Sequence, residues 1–151
     1  MKQNNIRIVP MEEAHVAQIA ALEALCFSEP WSENSVRSEL ANELSLWLVA
    51  LDGETVAAYV GSQSVMGEAD MMNVAVDPAY RRQGIARELL NALEDALRAR
   101  AVSSLTLEVR ASNTPAIALY QSLGYDQVGR RPNYYFKPKE DALILRKEWQ
   151  L

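Results

Sequence analysis

Apolar residues recur along the chain with two periods, and each period predicts one kind of secondary structure. Alternation over Ile6–Val9 predicts a short strand that stops at Pro10. Recurrence at every third or fourth residue from Met11 to Cys26 predicts a helix. Ser32 is a suitable N-cap for a second, shorter helix. The chain therefore opens as one strand followed by two helices.

The middle of the chain predicts three consecutive strands and a long amphipathic helix. Turn residues separate the strands, which we expect at Leu44–Leu51, Thr55–Val65 and Ala69–Val76. Apolar residues from Ile85 to Leu97 then form one stripe, with charged residues on the opposite face. This amphipathic pattern predicts a helix that packs on a sheet.

The last third of the chain predicts a strand, a helix and two more strands. A strand at Leu105–Val109 precedes a helix that begins at SNTP and ends before Gly124. Strands at Tyr125–Gly129 and Ala142–Leu145 follow. The order β-α-α-β-β-β-α-β-α-β-β predicts a mixed α/β sheet of antiparallel hairpins followed by two crossover units. We expect helices on both faces, and parallel strands on either side of the long helix.

Composition and charge narrow the class of protein. The 151 residues are 49% hydrophobic and 23% charged, which predicts one globular domain over residues 1–151. The net charge of −5 disfavours nucleic-acid binding and is compatible with a basic partner. The sequence has no signal-peptide core and no apolar run long enough to span a bilayer. We therefore expect a soluble cytoplasmic protein without a membrane partner.

The single histidine and the single cysteine give no basis for a metal site. Cys26 excludes an internal disulfide and suits a reducing compartment. Both His15 and Cys26 lie on the apolar stripe of the first helix. We expect a partly buried histidine and an inert core thiol.

The segment RRQGIARELL, at Arg81–Leu90, combines donors and a glycine at the start of the long helix. The first amides of a helix lack intrahelical partners, and the helix dipole adds positive charge there. Gly84 permits close approach of the backbone to a ligand, and Arg82 and Arg87 add charge. Two interpretations follow, a pyrophosphate site or a helix start with solvated arginines. The motifs GxxxxGK[ST] and GxGxxG are absent.

The motif RRQGIA resembles the [RQ]-x-x-G-x-[GA] motif of the GCN5-related N-acetyltransferases, and the predicted element order matches their fold. This resemblance covers nearly the whole chain and implies a mostly antiparallel sheet of six to seven strands. It implies acetyl-CoA as the cosubstrate. The pantetheine arm would lie along a strand that is kinked near Asn73–Ala75, and the pyrophosphate would bind at the RRQGIA loop. The implied cofactor residues are Val74, Ala75, Val76, Arg82, Gln83, Gly84, Ile85, Ala86, Arg87 and Asn113. Asn113 is also a suitable helix cap.

Three further segments, CFSEPWS, LEVRASNTPAIALYQSLGY and GRRPNYY, are similar to a subfamily that acetylates the N-terminal alanine of a small-subunit ribosomal protein. The resemblance implies that N-terminal peptide as the partner, in a cleft lined by Trp31, Tyr134 and Tyr135. By pattern alone, Trp31 is equally a hydrophobic staple and the tyrosines are strand residues. The segment FSEPW is longer than the FPW of several relatives, and the predicted loop FKPKED is shorter than in some.

Glu108 is the candidate general base. It alternates with Leu107 and Val109, so its carboxylate lies on the less apolar face near the end of the strand. Partial burial there would raise its pKa towards the working range. The alternative is a salt-bridged glutamate, for example with Arg110. The resemblance implies that the glutamate of LEVRASN accepts the proton, directly or through water.

Tyr120 is the candidate general acid. It shares a helix stripe with Ile117 and Leu123, so the pattern alone favours a core aromatic. The resemblance implies that this tyrosine protonates the departing thiolate of coenzyme A.

Three functions are compatible with these residues. The first is a peptide N-terminal acetyltransferase that works by direct attack in a ternary complex. The second is an acetyltransferase for lysine side chains or a small amine, and the third is a non-catalytic acetyl-CoA-binding module. The presence of both Glu108 and Tyr120 favours an enzyme, and we expect the first.

Overall fold

The computed structural model describes residues 5–151, which contain one seven-stranded sheet with helices on both faces. The strands are β1 (Ile6–Pro10), β2 (Ser45–Asp52), β3 (Thr55–Val65), β4 (Glu68–Val76), β5 (Ser104–Arg110), β6 (Asp126–Phe136) and β7 (Lys139–Glu148). The α-helices of this range are α1 (Glu13–Cys26), α2 (Glu33–Ser38), α3 (Ile85–Ala99) and α4 (Thr114–Ser122). Short 3₁₀ turns at Glu39–Ala41 and Pro78–Tyr80 follow α2 and β4. None of these helices is long and apolar enough to cross a membrane.

The spatial order of the strands is β1-β2-β3-β4-β5-β7-β6. Every neighbouring pair is antiparallel except β4 and β5, which are parallel and joined through α3. Strand β7 lies between β5 and β6, so the α4 crossover passes over one strand. The predicted class, element order and parallel pair are therefore confirmed.

Two hydrophobic cores lie on the two faces of the sheet. On one face, α3 buries Leu89, Leu93 and Leu97 completely, as its apolar stripe predicts. On the other face, α1 buries Val16 and Ile19 against β2 and β3. Strands β2 and β3 are covered on both faces, which explains their nearly continuous apolar sequences.

Strands β4 and β5 pair only where they begin. Their parallel ladder runs from Glu68–Ser104 to Asp70–Thr106, and the strands then separate. Just beyond, the pairing of β4 with β3 shifts register, which leaves Met72 without a partner. The irregularity lies one residue before the kink expected near Asn73–Ala75. The separation leaves one edge of β4 free to meet a ligand.

Strands β6 and β7 extend well beyond their predicted limits. Strand β6 continues past Gly129 to Phe136, and β7 begins at Lys139 rather than Ala142. The segment FKPKED, expected to be a loop, is therefore mostly strand, and the tyrosines of NYY are strand residues, as their pattern indicates. Because β6 is an edge strand whose residues are largely exposed, it has no apolar alternation to indicate its length.

Candidate active site

A cleft of about 700 Å³ opens where β4 and β5 separate. Its walls come from the end of α1 and the segment after it, the middle of β4, the end of β5, the start of α4 and the end of β6. The predicted site residues in its lining are Trp31, Val74, Glu108, Asn113, Tyr120, Tyr134 and Tyr135. The cleft therefore brings both candidate catalytic residues together with all three candidate acceptor residues.

Glu108 contributes a partly buried carboxylate to the cleft. Leu107 and Val109 are buried in the core, and Glu108 projects from the opposite face of β5. Its side chain is 26% exposed, and its Oε2 lies 3.7 Å from Nε of Arg131. Burial raises the pKa of Glu108, while Arg131 lowers this pKa and Asp70 raises it. The net shift is upward, so this carboxylate binds a proton more readily than an exposed glutamate does.

The suggested salt bridge between Glu108 and Arg110 is wrong. Nη1 of Arg110 lies 3.3 Å from Oε1 of Glu140, and the guanidinium covers the ring of Tyr135 at 4.3 Å. Side chains two residues apart on a strand are separated by about 7 Å. The unpredicted extension of β6 and β7 supplies closer partners, Glu140 for Arg110 and Arg131 for Glu108.

Tyr120 has a buried ring and a free hydroxyl. The residue is 6% exposed, and its ring packs edge-on against Tyr125 at 6.0 Å, so the ring does belong to the core. No described residue forms a hydrogen bond with its hydroxyl, whereas the hydroxyls of Tyr59 and Tyr125 donate to Glu23 and Glu94. Burial raises the pKa of Tyr120 to about 12. The cleft is therefore lined by a protonated phenol with an unused donor.

Strand β4 has its side chains committed to the two cores, and among the described residues its backbone edge towards β5 is free except at Val76, whose carbonyl accepts a hydrogen bond from Nε of Arg81 at 3.1 Å. Val74 and Val76 pack against the core under α3, and Ala75 is buried in the other core. The ladder to β5 ends at Asp70, so the edge of β4 that faces β5 has no strand partner beyond this residue. Backbone amides and carbonyls without partners are strong hydrogen-bonding groups. This edge fits an extended ligand that contains amides.

The predicted pyrophosphate loop lies between β4 and α3. Arg82 and Gly84 both have left-handed backbone conformations, with φ of 65° and 78°. Gly84 is the N-cap residue of α3, and no side chain caps this helix. The first amides of α3 are therefore available to an external acceptor such as a phosphate.

The other loop residues have different surroundings. Gln83 and Ala86 are half-buried, and Ile85 is buried in the core under α3. Nη2 of Arg87 donates to Oγ of Ser122 at the end of α4, at 2.9 Å. In this structure Arg87 thus links α3 to α4.

Asn113 caps α4 and lies at the rim of the cleft. Its Oδ1 accepts a hydrogen bond from the Ala116 amide at 3.3 Å, which confirms the predicted capping role. Its Nδ2 forms no hydrogen bond with a described residue. The side chain can therefore cap the helix and donate into the cleft at the same time.

Aromatic side chains from two segments line the cleft. Trp31 is half-buried and packs edge-on against Trp47, with ring centroids 5.4 Å apart. At the end of β6, Tyr134 and Tyr135 pack edge-on at 5.0 Å. Burial raises the pKa of Tyr135 to about 12. These rings provide an apolar wall beside Glu108.

The two residues expected to be inert on the α1 stripe differ in their surroundings. His15 is buried, and its Nδ1 accepts a hydrogen bond from the Glu12 amide at 2.9 Å, which confirms the expected partly buried histidine. Cys26 is half-exposed and lines the cleft, with Sγ 3.7 Å from Nη2 of Arg81. The prediction of a core thiol is confirmed only in part: Cys26 packs against the core beneath α1, but it lies at the end of the helix and is partly exposed to the cleft.

Two charged residues near the cleft were not predicted from the sequence. Glu23 is wholly buried, and a charged residue that continues the stripe of Val16 and Ile19 is the signal that could have identified it. Arg131 lies in β6, and only the long-range pairing of that strand brings it to Glu108. No local sequence pattern indicates this contact.

Known proteins resemble this chain in sequence and in structure. Residues 16–125 match the acetyltransferase (GNAT) family. The ribosomal protein bS18-alanine N-acetyltransferase of Escherichia coli strain K12 is 45% identical over 118 residues, which cover 77% of this chain and 79% of that protein. The enzyme of the same name from Haemophilus ducreyi is 42% identical over 120 residues, covering 77% and 81%.

The crystal structure of the ribosomal-protein-S18-alanine N-acetyltransferase from Escherichia coli superposes with a TM-score of 0.89. The superposition covers 97% of this chain and 95% of that chain, at 38% identity. The two chains therefore share the same fold over nearly their whole length.

Proposed function

The chain belongs to the acetyltransferase (GNAT) family and is an N-acetyltransferase, and on this premise we propose that it acetylates the N-terminal alanine of ribosomal protein bS18. The observation that carries the proposal is one cleft that combines a partly buried Glu108, a free Tyr120 hydroxyl and an aromatic wall. The acetyl donor is acetyl-CoA, and a ribosomal substrate implies reaction in the cytoplasm.

The free edge of β4 and the uncapped start of α3 support binding of acetyl-CoA. We assign the backbone of Val74, Ala75 and Val76 to the amides of the pantetheine arm, and Arg82–Arg87 to the pyrophosphate. Nδ2 of Asn113 is a further donor on the same side of the cleft. Acetyl-CoA supplies the acetyl group as a thioester whose leaving group is a thiolate.

Glu108 accepts the proton of the attacking amine at its carboxylate, directly or through one water. An α-amino group has a pKa of about 8, so most of it is protonated at neutral pH and must lose a proton before attack. The raised pKa of Glu108 makes its carboxylate a stronger base than that of an exposed glutamate. The amine nitrogen then forms a bond to the acetyl carbon.

Tyr120 donates from its hydroxyl to the sulfur as the carbon–sulfur bond breaks. Its pKa of about 12 keeps the phenol protonated until the thiolate forms. The coenzyme A thiol has a pKa of about 8.5, so a hydrogen bond stabilises the thiolate before a proton is fully transferred. Starting from its protonated form, the amine nitrogen loses two protons over one turnover, one before attack and one as the amide forms, and Glu108 accepts them in turn and passes them to water. The sulfur gains one proton through Tyr120, which recovers it from water, so one proton is released per acetyl group transferred.

We assign Trp31, Tyr134 and Tyr135 to the first residues of the acceptor peptide. Their rings are rigid apolar surfaces that bind a peptide with little loss of side-chain entropy. Proteins that bind RNA are usually basic, and the net charge of −5 favours their approach.

An acetylation assay with purified protein, acetyl-CoA and two peptides tests the proposal. One peptide carries the free N-terminal alanine of bS18, and the other has a blocked N-terminus and an internal lysine. Mass spectrometry should find the acetyl group on the first peptide alone. Acetylation of the second alone would assign the enzyme to lysine or small-amine acceptors. Bound acetyl-CoA without transfer to either peptide would instead indicate a non-catalytic binding module.

A further inference from the structure

Helix α1 carries a buried carboxylate for which the proposed reaction has no use. Glu23 is 0% exposed. Within residues 5–151 no lysine, arginine or histidine forms an ion pair with it. A buried carboxylate is tolerated only when hydrogen bonds compensate for its lost hydration. The donors that compensate Glu23 therefore indicate what the residue holds in place.

Three donors from three segments meet at this carboxylate. The backbone amide of Trp31 donates to Oε1 at 2.9 Å. Nδ2 of Asn73 donates to Oε2 at 2.7 Å, and the hydroxyl of Tyr59 donates to the same oxygen. Trp31 belongs to the proposed acceptor side of the cleft, and Asn73 lies beside the unpaired Met72 of β4. Glu23 thus connects the acceptor side to the strand on the cofactor side.

The two connections differ in how much else holds each partner. Asn73 is also paired with Gly61 in the ladder of β3 and β4. Among the described residues, the Trp31–Glu23 bond is the only hydrogen bond that joins segment 28–31 to the rest of the fold. The ring contact between Trp31 and Trp47 adds no directional restraint on the backbone. Loss of Glu23 should therefore release Trp31 and leave β4 in place.

We propose that Glu23 is a positioning residue that fixes the acceptor side of the cleft at a set distance from strand β4. It acts through Trp31 and does not touch the substrates. The proposal rests on the proposed function, because it assigns Trp31 to the acceptor. A loop held by one buried hydrogen bond gives the incoming amine a defined approach to the acetyl group bound along β4.

The substitution E23A should weaken binding of the acceptor peptide and leave binding of acetyl-CoA nearly unchanged. We expect the KM for the acceptor peptide to rise about tenfold, because a displaced wall costs binding and alignment. The Kd for acetyl-CoA, measured by calorimetry without turnover, should stay within about twofold, since β4 keeps its ladder. Thermal unfolding is measured in parallel, and E23L, which fills the vacated space, replaces E23A if the alanine variant does not fold.

Two matched variants distinguish positioning from general stabilisation. In E23Q, Oε1 can still accept from Trp31, and Nε2 can donate to Tyr59 and to the rotated amide of Asn73. E23Q should therefore restore the peptide KM. The variant Y59F removes the third hydrogen bond but keeps those to Trp31 and Asn73. It should lower the melting temperature without changing the peptide KM.

Hydrogen–deuterium exchange over residues 27–32 gives a readout that needs no activity. Exchange should be faster in E23A or E23L, and as in the wild type in E23Q and Y59F. A wild-type peptide KM or unchanged exchange in the alanine or leucine variant overturns the proposal, as does an equal rise of peptide KM in Y59F. If the wild type acetylates neither peptide, the proposed function fails, and exchange together with acetyl-CoA affinity still decides the role of Glu23.

Discussion

The two sides of the cleft are built in different ways. The proposed cofactor side, Val74–Val76 and Arg82–Arg87, offers mainly backbone: a strand edge without a partner and an uncapped helix start. The proposed acceptor side, Trp31, Tyr134 and Tyr135, offers aromatic side chains from segments distant in sequence. Backbone groups suit a ligand that never varies, whereas side chains can change with the acceptor. Glu108 and Tyr120 line the same cleft as Val74 and the three aromatic residues. As the proposed base and acid, they should affect turnover most when substituted.

The largest effect is expected from E108Q. The amide is nearly isosteric but does not accept a proton, so kcat should fall by about a hundredfold or more. Because the side chain of Glu108 forms no hydrogen bond within the described residues, the fold and the acetyl-CoA affinity should be retained. Steady-state kinetics and calorimetry on the same preparation measure both quantities. A kcat close to that of the wild type would show that Glu108 is not the general base.

A smaller loss of kcat is expected from Y120F, which removes one hydroxyl from the lining of the cleft. Without the donor, the thiolate leaves unprotonated, and kcat should fall by about tenfold or more. The control is Y125F, which removes a neighbouring buried hydroxyl that donates to Glu94. Y125F should cost stability and leave kcat unchanged. If Y120F and Y125F have equal kcat values, the role of Tyr120 is structural and it is not the general acid.

The substitution G84V should affect binding of acetyl-CoA and not binding of the acceptor peptide. A branched residue is strained at φ of 78°, so the loop must rearrange and the first amides of α3 lose their alignment. We expect the Kd for acetyl-CoA to rise about tenfold, with the peptide KM unchanged at saturating acetyl-CoA.

Gly53 provides a matched control for this substitution. It lies in the β2–β3 hairpin with φ of 63°, and an added Cβ there meets no atom within 4 Å. G53V therefore imposes similar backbone strain away from the loop and should leave the Kd for acetyl-CoA as in the wild type. A wild-type Kd in G84V would contradict the assignment of the loop to the pyrophosphate.

The same difference between the two sides explains what the sequence predicted and what it did not. The cofactor side is contiguous in sequence, so the RRQGIA motif and the following apolar stripe were enough to predict a helix start with free amides. The acceptor side depends on long-range pairing. Strand β6 extends to Phe136 without an apolar alternation, so neither its length nor the position of Arg131 could be predicted.

Buried polar residues were missed for a related reason. Periodicity places Glu23 on the core side of α1, but local sequence does not reveal the partners that permit its burial. The Glu108 prediction depended on alternation within one strand, and the structure confirms its partial exposure. The alternative of an ion pair with Arg110 was wrong, because a neighbour along the chain is visible in the sequence and a neighbour across a hairpin is not.

The smallest effect is expected from R131Q, on the acceptor side. Arg131 lies 3.7 Å from Glu108 and favours its charged form, so this substitution should raise the pKa of Glu108 further. The base works deprotonated, so the acid limb of the kcat–pH profile should move to higher pH with little change at the plateau. R130Q is the control, because Arg130 pairs with Asp141 instead. Added salt should move the wild-type limb the same way by screening this exposed arginine. In R131Q the remaining charge is Asp70, which raises the pKa of Glu108, so salt should move that limb slightly to lower pH instead. If the acid limbs of the R130Q and R131Q profiles fall at the same pH, Arg131 does not affect the pKa of Glu108.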